Sequence, residues 1–411
     1  MVPNGWTIQK LEQIATVERG KFSARPRNDP KYFGGNIPFV QTGDIAAAKT
    51  YLQNYTQTLN EDGLKVSRLF PKDTILITIA ANIGDTAITS FDVACPDSLV
   101  AIRTNKDTDC FWLKLYLETC KDELDGKATQ NAQKNINLQV LKPLEVLTPP
   151  YPEQRKIAQI LSTWDRGIAT TEKLIDARKQ QKKALMQQLL TGKKRLVDPE
   201  TGKKFEGDWE EVKLSHFFDR VTEKNKGQST NVVTISAQHG LIRQEEFFKK
   251  SVASETLDNY FILRKGQFAY NKSYSNGYPM GAIKRLNRYE DAVVTSLYIC
   301  FELKNEQLAS SCFMEQYFES GLLNRGLTKV AAEGGRAHGL LNVKPSDFMA
   351  LAITAPQLNE QQKIASVLTA ADKEIELLEA KLLHFKQEKK ALMQQLLTGK
   401  RRVKVAEAEA A

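Results

Sequence analysis

The chain has 411 residues, 41% hydrophobic and 26% charged, which is ample material for packed cores and excludes global disorder. At about 150 residues per domain, the length predicts two or three domains, and no apolar run reaches the roughly 18 residues a membrane span needs. Fifty-eight Lys and Arg against 49 Asp and Glu leave a formal charge of +9, a lean towards a polyanionic partner.

The stretch before Trp6 has neither the basic flank nor the apolar core of a signal peptide. Five cysteines (Cys95, Cys110, Cys120, Cys300 and Cys312) are odd in number and contain no CxxC pair. They predict neither a disulfide framework nor a zinc site, and suit small buried hydrophobes in a reducing cytoplasm. A first body, 6–149, reads as mixed α/β, with a strand-like run Thr74–Ile79 behind Pro71-Lys72-Asp73 and a helical stretch at 111–124. It closes on Pro149-Pro150-Tyr151-Pro152.

From Glu153 to Leu190 only Gly167 interrupts a helical pattern. Alternating steps of four and three give Ile157, Leu161, Trp164, Ile168, Thr171, Ile175, Arg178, Lys182, Leu185 and Leu189, a seam about five heptads long that predicts a coiled coil. Thr191-Gly192 reads as its C-cap. A polar linker, 193–208, leads to a second body, 209–356, with a strand-like run Ala292–Phe301, a helical stretch at 312–323 and a closing Pro356. The second seam is Ile364, Leu368, Ala371, Ile375, Leu378, Leu382, Phe385, Lys389, Leu392 and Leu396, followed by Thr398-Gly399.

The two long helices are copies of one segment. KKALMQQLLTGK stands at 182–193 and again at 389–400, EQRKIAQIL at 153–161 matches EQQKIASVL at 360–368, and 23 of 41 aligned positions agree at one ungapped offset of 207. Trp6 and Lys10-Leu11 return as Trp209 and Lys213-Leu214 at an offset of 203. The predicted class is α+β, with two mixed α/β domains separated by a long antiparallel two-helix coiled coil in an internal pseudo-two-fold repeat. The expected boundaries are 1–150, 151–192, 193–208, 209–356, 357–398 and a basic, then flexible tail 399–411. At about 1.5 Å per residue each helix would span roughly 60 Å. The same symmetry would return the end of the second helix to the first body, bringing the chain termini together. Segments 178–204 and 386–404 carry +7 and +6, more than the whole excess of +9. That charge suits either a DNA backbone or the negative ends of the helices.

Catalytic motifs are absent. All three Thr-Gly-Lys triplets lack the earlier P-loop glycine, with Gln187, Val197 and Gln394 in its place. Thr148-Pro149-Pro150-Tyr151 has half of an amino-methyltransferase motif, but no G-x-G loop precedes it. There is no HExxH, the four histidines do not cluster, and no metal-nuclease spacing is present. Polar, glycine-bearing segments between apolar runs are instead suited to base readout, since Gln and Asn pair bidentately with adenine, Arg with guanine, and Lys with phosphate. In the first body these segments hold Lys21, Arg25 and Arg27; Gln41 and Thr42; Asn82; and Gln130, Asn131, Gln133, Lys134 and Asn135. In the second they hold Lys224; Asn271, Lys272, Tyr274 and Asn276; and Arg336 and His338. An equivalent polar loop precedes Asn137 in one body and Asn342 in the other. Read singly, each segment is equally a solvated turn.

The tandem P-x-x-x-EQ-x-KIA-x-[IV]L and KKALMQQLLTGK segments, the opening G-W-x-x-x-K-L, IPFVQTGDI at 37–45 and TQNAQKNIN at 129–137 resemble the specificity subunit of type I restriction–modification enzymes. In the second body Gly335–Asn342 is a looser counterpart of the last of these, and 403–411 matches nothing. The resemblance implies a cytoplasmic, non-catalytic scaffold with two target-recognition domains, each reading half of a bipartite site in double-stranded DNA. It implies two methyltransferase (modification) subunits and motor–nuclease (restriction) subunits as partners, and no membrane. No cofactor would bind this chain, while S-adenosylmethionine, ATP and Mg would sit on the partners, giving adenine-N6 methylation and ATP-dependent cleavage. The alternative is a stand-alone duplicated DNA-binding or coiled-coil adaptor, which leaves unexplained why the bodies differ while the helices barely do.

Overall fold

The computed structural model describes residues 2–128, 134–248, 256–331 and 341–405, and its contacts divide them between two compact units: 1–172 with 381–411, and 173–380.

The first unit opens with β1 (Thr7–Lys10), α1 (Leu11–Ile14) and β2 (Ala15–Arg19), then β3 (Phe33–Phe39), α2 (Thr42–Ala47), β4 (Tyr51–Leu52), β5 (Gln57–Leu59) and α3 (Glu61–Lys65). Next come β6 (Leu69–Phe70), β7 (Ile75–Thr78), β8 (Thr86–Thr89), β9 (Val93–Ala94) and β10 (Leu99–Thr104), then α4 (Cys110–Thr119), α5 (Lys121–Gly126), α6 (Leu138–Leu141) and β11 (Glu145–Thr148). One sheet runs β2-β10-β7-β8-β4, a second runs β5-β3-β9-β6, and β1 pairs with β11. Covered on both faces, β7 reads as an unbroken apolar run, Ile75-Leu76-Ile77, rather than as an alternation. Asp109 starts α4 by accepting the Trp112 N–H at 2.8 Å, and Trp112 is buried in the core. The helix expected at 111–124 is two helices that meet at Cys120.

The long helix α7 (Tyr151–Leu189) leads to the second unit, whose elements are β12 (Glu210–Lys213), α8 (Leu214–Phe217), β13 (Phe218–Val221), β14 (Val233–Ser236), β15 (Gly240–Arg243), α9 (Gln244–Phe248), β16 (Phe261–Arg264), β17 (Phe268–Asn271) and β18 (Ala282–Arg285). Then follow β19 (Asp291–Val294), β20 (Ile299–Leu303), α10 (Ser311–Glu319), α11 (Asn324–Ala331), α12 (Pro345–Met349), β21 (Ala352–Ala355) and α13 (Leu358–Leu396). The strand order β13-β20-β17-β18 matches β2-β10-β7-β8, β16-β19 matches β6-β9, and β12-β21 matches β1-β11. Two bodies with little common sequence therefore build the same central pairing. The run 292–301 is two strands in two sheets, because Tyr298 N–H turns back onto the Thr295 carbonyl at 3.1 Å. The second helical stretch, expected at 312–323, ends at Glu319. The final short helix starts at Pro345 with Lys344 as its N-cap, the place that Asn137 takes at the start of α6.

Each unit holds a stretch of both long helices, packed antiparallel. In the first, Asp165 pairs with Lys389 at 2.6 Å, Glu172 with Lys386 at 2.9 Å, and Trp164 meets the Phe385 ring edge-on. In the second, Arg178 pairs with Glu374, Lys179 with Glu379 and Lys182 with Asp372, at 2.9, 2.6 and 2.5 Å. All twenty seam positions are buried or partly buried. Ile157, Leu161, Leu396 and Leu397 join the first core, and Leu189, Leu190, Ile364 and Leu368 the second.

The repeated Glu-Gln closes the helix starts onto the bodies. Gln154 Oε1 accepts the Asp109 N–H at 2.8 Å and Nε2 donates to the Pro149 carbonyl; Gln361 does the same with the Ser310 N–H and the Pro356 carbonyl. Glu153, its side chain 4% exposed, receives Arg402 through Nε and Nη2 at 2.7 Å each and the Trp6 indole N–H at 3.0 Å. Glu360 receives Arg195 in the same two-pronged way, at 2.6 and 2.7 Å. Arg402 also donates to the Asn4 carbonyl at 2.6 Å, which ties the segment after α13 to the start of the chain, as the symmetry predicts. Arg195 donates to the Gly207 carbonyl within the linker.

Candidate nucleic-acid interface

In the first unit the polar segments are tied to neighbouring stretches of chain by backbone hydrogen bonds. Gly20 N–H reaches the Leu99 carbonyl and Lys21 N–H the Cys95 carbonyl, both at 2.9 Å. A Cβ at Gly20 would stand 2.2 Å from the Pro96 oxygen, so only glycine permits this approach. The Lys21–Arg27 segment is thereby pinned beside 95–99. Arg27 pairs with Asp97 at 2.9 Å, and Arg25 donates to its neighbour's carbonyl. Gln41 and Thr42 are not in a loop: Gln41 is the N-cap of α2, with Asp44 accepting its N–H at 2.8 Å, and its side chain donates to Gln57 at 3.1 Å. Arg27, Asn28, Gln41, Gln57 and Ser98 line one cavity of about 420 Å³ over the Phe22, Phe33 and Phe39 rings.

The next turn adjoins this group through the backbone. Ile79 N–H donates to the Ser98 carbonyl, Ile136 N–H donates to the Ile79 carbonyl, and Ala80 bridges Asn135. Asn82 is exposed on the turn after β7, Lys134 pairs with Asp125 at 2.6 Å, and Asn135 sits at the bridge. Lys21, Arg25, Arg27, Gln41, Thr42, Asn82, Lys134 and Asn135 are thus linked by a chain of neighbouring strands and turns. Gln130, Asn131 and Gln133 lie outside the described residues.

In the second unit Lys224 is held away from the others: it donates to the Asn259 carbonyl at 2.7 Å and lies 4.1 Å from the centre of the Phe261 ring. Asn271 ends β17, and Lys272, Tyr274 and Asn276 follow it in the loop to β18. Asn271 accepts the Ser273 N–H at 3.0 Å, and the Lys272 carbonyl accepts the Leu341 N–H at 3.1 Å, the counterpart of the Ile79–Ile136 link. Arg336 and His338, immediately before Leu341, lie outside the described residues.

Sequence reading missed Asn28 and Gln57, isolated polar residues whose place beside Arg27 and Gln41 depends on strand pairing across the second sheet. It also missed Arg325 and Lys329, exposed on α11 and without an ion pair among the described residues. Their signal was present: Leu323, Leu327 and Val330 mark the opposite, packed face of that helix. The basic stretches after the long helices divide, since Arg195 and Arg402 pair with buried carboxylates while Lys193, Lys194, Lys400 and Arg401 are exposed.

Cys95 and Cys300 are buried, which pushes their thiols up to about 12, and no pair of cysteines is bridged. Among the described residues no His, Cys, Asp and Glu group could hold a metal ion, and no helix is long and apolar enough to cross a membrane.

Two matching α/β bodies carrying polar loops of different chemistry, joined by a repeated helix, define a recognition scaffold. A family model described as the type I restriction modification DNA specificity domain matches residues 3–178 and again 206–385. The chain belongs to that family, whose members recognise DNA and are not themselves catalytic. It is 24% identical to the type I restriction enzyme MjaVIII specificity subunit of Methanocaldococcus jannaschii, over 98% of this chain and 94% of that one. Two solved structures have a similar fold: the S subunit of a type I restriction–modification system from M. genitalium, with a TM-score of 0.55, 14% identity and coverage of 96% and 97%, and the HsdS subunit of Thermoanaerobacter tengcongensis, with 0.50, 15%, 97% and 98%.

Proposed function

We propose that this chain reads an asymmetric, two-part sequence in double-stranded DNA, one half with each body. The two bodies are the target-recognition domains, and the repeated helices form an antiparallel coiled coil that sets the unread gap and presents the same surface twice, to two methyltransferase subunits. Motor–nuclease subunits complete the assembly; S-adenosylmethionine, ATP and Mg belong to those partners. The observation that carries this reading is the contrast between the bodies and the helices. Matching strand orders carry Arg27, Gln41, Asn82 and Lys134 in one unit and Asn271, Lys272, Tyr274 and Asn276 in the other, while 23 of 41 positions of the helical segment are unchanged. Different side chains on one framework read different bases, and identical helices fit identical partners.

The test is a map of modified adenines in cells expressing this chain with its neighbouring methyltransferase subunit, against cells lacking this chain. The expected result is a new two-part motif with a fixed gap that depends on this chain. No chain-dependent methylation in cells where the two proteins co-purify would overturn the reading in favour of a stand-alone adaptor.

A further inference from the structure

The loop between β17 and β18 holds a large aromatic side chain in solvent and is braced to keep it there. Tyr274 is 68% exposed. The turn behind it is closed on itself: Tyr278 N–H donates to the Ser275 carbonyl at 2.8 Å, Ser275 N–H returns to the Tyr278 carbonyl, and Gly277 takes a positive φ between them. Tyr278 is anchored in turn, with its hydroxyl on Glu319 of α10 and the Lys284 ammonium 3.1 Å from its oxygen. Gly281, at φ +79°, lets the returning chain pass where a Cβ would come within 2.2 Å of the Asn271 oxygen, and Tyr270 donates to the Met280 carbonyl at 2.7 Å. The equivalent turn of the first unit, between β7 and β8, is shorter and folds its large apolar side chains, Ile79 and Ile83, into the core.

A braced loop that carries a bare ring, with the cation of Lys272 and the amide of Asn276 on either side, has the elements of a wedge for stacked bases: an apolar face to insert, a charge for phosphate, and a backbone already tied down on both sides of the ring. We propose that Tyr274 inserts its ring at a base step of the half-site read by the second unit, unstacking that step, and that the first unit reads its half without a wedge. This rests on the DNA-reading function proposed above.

The experiment uses the complex of this chain with its methyltransferase subunit and duplexes carrying its mapped motif, with 2-aminopurine placed in turn at each adenine of both half-sites except the methylated ones, which the methyltransferase itself takes out of the stack. Wild-type complex is expected to brighten the reporter severalfold at one step, in one half-site only. Tyr274→Phe and Tyr274→Trp should keep the signal, whereas Tyr274→Ala should abolish it and weaken binding about tenfold while the other half-site is read as before. Side-chain loss at so exposed a position leaves the fold intact, which unchanged thermal unfolding would verify. The wedge is overturned, and DNA reading stands, if wild type binds its motif with no step brightened, if Tyr274→Ala brightens like wild type, or if Tyr274→Phe behaves like Tyr274→Ala. That last result would assign the hydroxyl to base-edge reading. Absence of any sequence-specific binding by wild type would overturn the underlying function and the wedge together.

Discussion

The side chains that define the repeat in sequence hold the molecule together. The Glu of the repeated Glu-Gln is almost wholly removed from water in both copies, and each is matched by an arginine that arrives from the far end of a long helix. A carboxylate buried that deeply is tolerated only when its charge is answered and both oxygens are satisfied. The hydrogen bond to Glu153 accordingly holds the Arg402 guanidinium above its ordinary pKa. Arg402→Ala should destabilise the first unit by about 3 kcal/mol, because it strands a buried charge, and Arg402→Lys should recover only part of that. Urea unfolding followed by Trp6 fluorescence measures it. A loss below about 0.5 kcal/mol would show Glu153 to be satisfied by water instead. Arg402 was readable in sequence only as one more cation in a basic tail, because its partner lies 249 positions away.

At the scale of the element, the seam is unusual for carrying lysine at positions where a coiled coil takes leucine. Lys182 and Lys389 are the same residue in the two copies, as are Asp372 and Asp165, so each unit holds a copy of this seam-lysine ion pair between its helix stretches. Such pairs cost desolvation and add little net stability, yet they penalise every register in which the lysine faces leucine. Lys182→Met with Asp372→Leu should leave the second unit as stable or raise its stability by about 1 kcal/mol, whereas Lys182→Met alone should lower it by about 2 kcal/mol. Denaturant unfolding of the two variants decides, and equal losses in both would refute a role in register over stability. The double change also removes the Gln316 contact to Asp372, which is the element's one link to α10 through that carboxylate. Helix periodicity made these long elements plain in the sequence. Short strands were less so, since β19 and β20 merge into one apolar run until the turn at Thr295 separates them.

For the molecule as a whole, a spacer role for the helices makes a prediction that folding stability does not. Inserting one heptad after Ile175 and another after Leu382 keeps the seam in phase in both helices while lengthening them by about 10 Å. The unread gap in the methylated motif should then grow by roughly three base pairs, with both half-sequences unchanged. Methylome mapping of the variant reads this directly, and an unaltered gap with retained methylation would refute the ruler.

The sequence by itself determined the duplication, the helical segments and the absence of familiar catalytic motifs, because these rest on local periodicity and on self-similarity within one chain. It also singled out the loops, since polar residues and glycine between apolar runs mark turns wherever they occur. Only the tertiary structure decided which of those loops are neighbours. Gln41 meets Gln57, and Asn135 meets Ala80, through strand pairings between stretches that no pattern in the sequence connects. It likewise decided that Asn137 and Lys344 are the N-caps of the two short closing helices, and that Tyr274 stands in water while Ile83 is buried. Local propensity acts over a few residues. The position of a side chain on a surface is set by long-range backbone hydrogen bonds and close packing, which become visible only once the chain has folded.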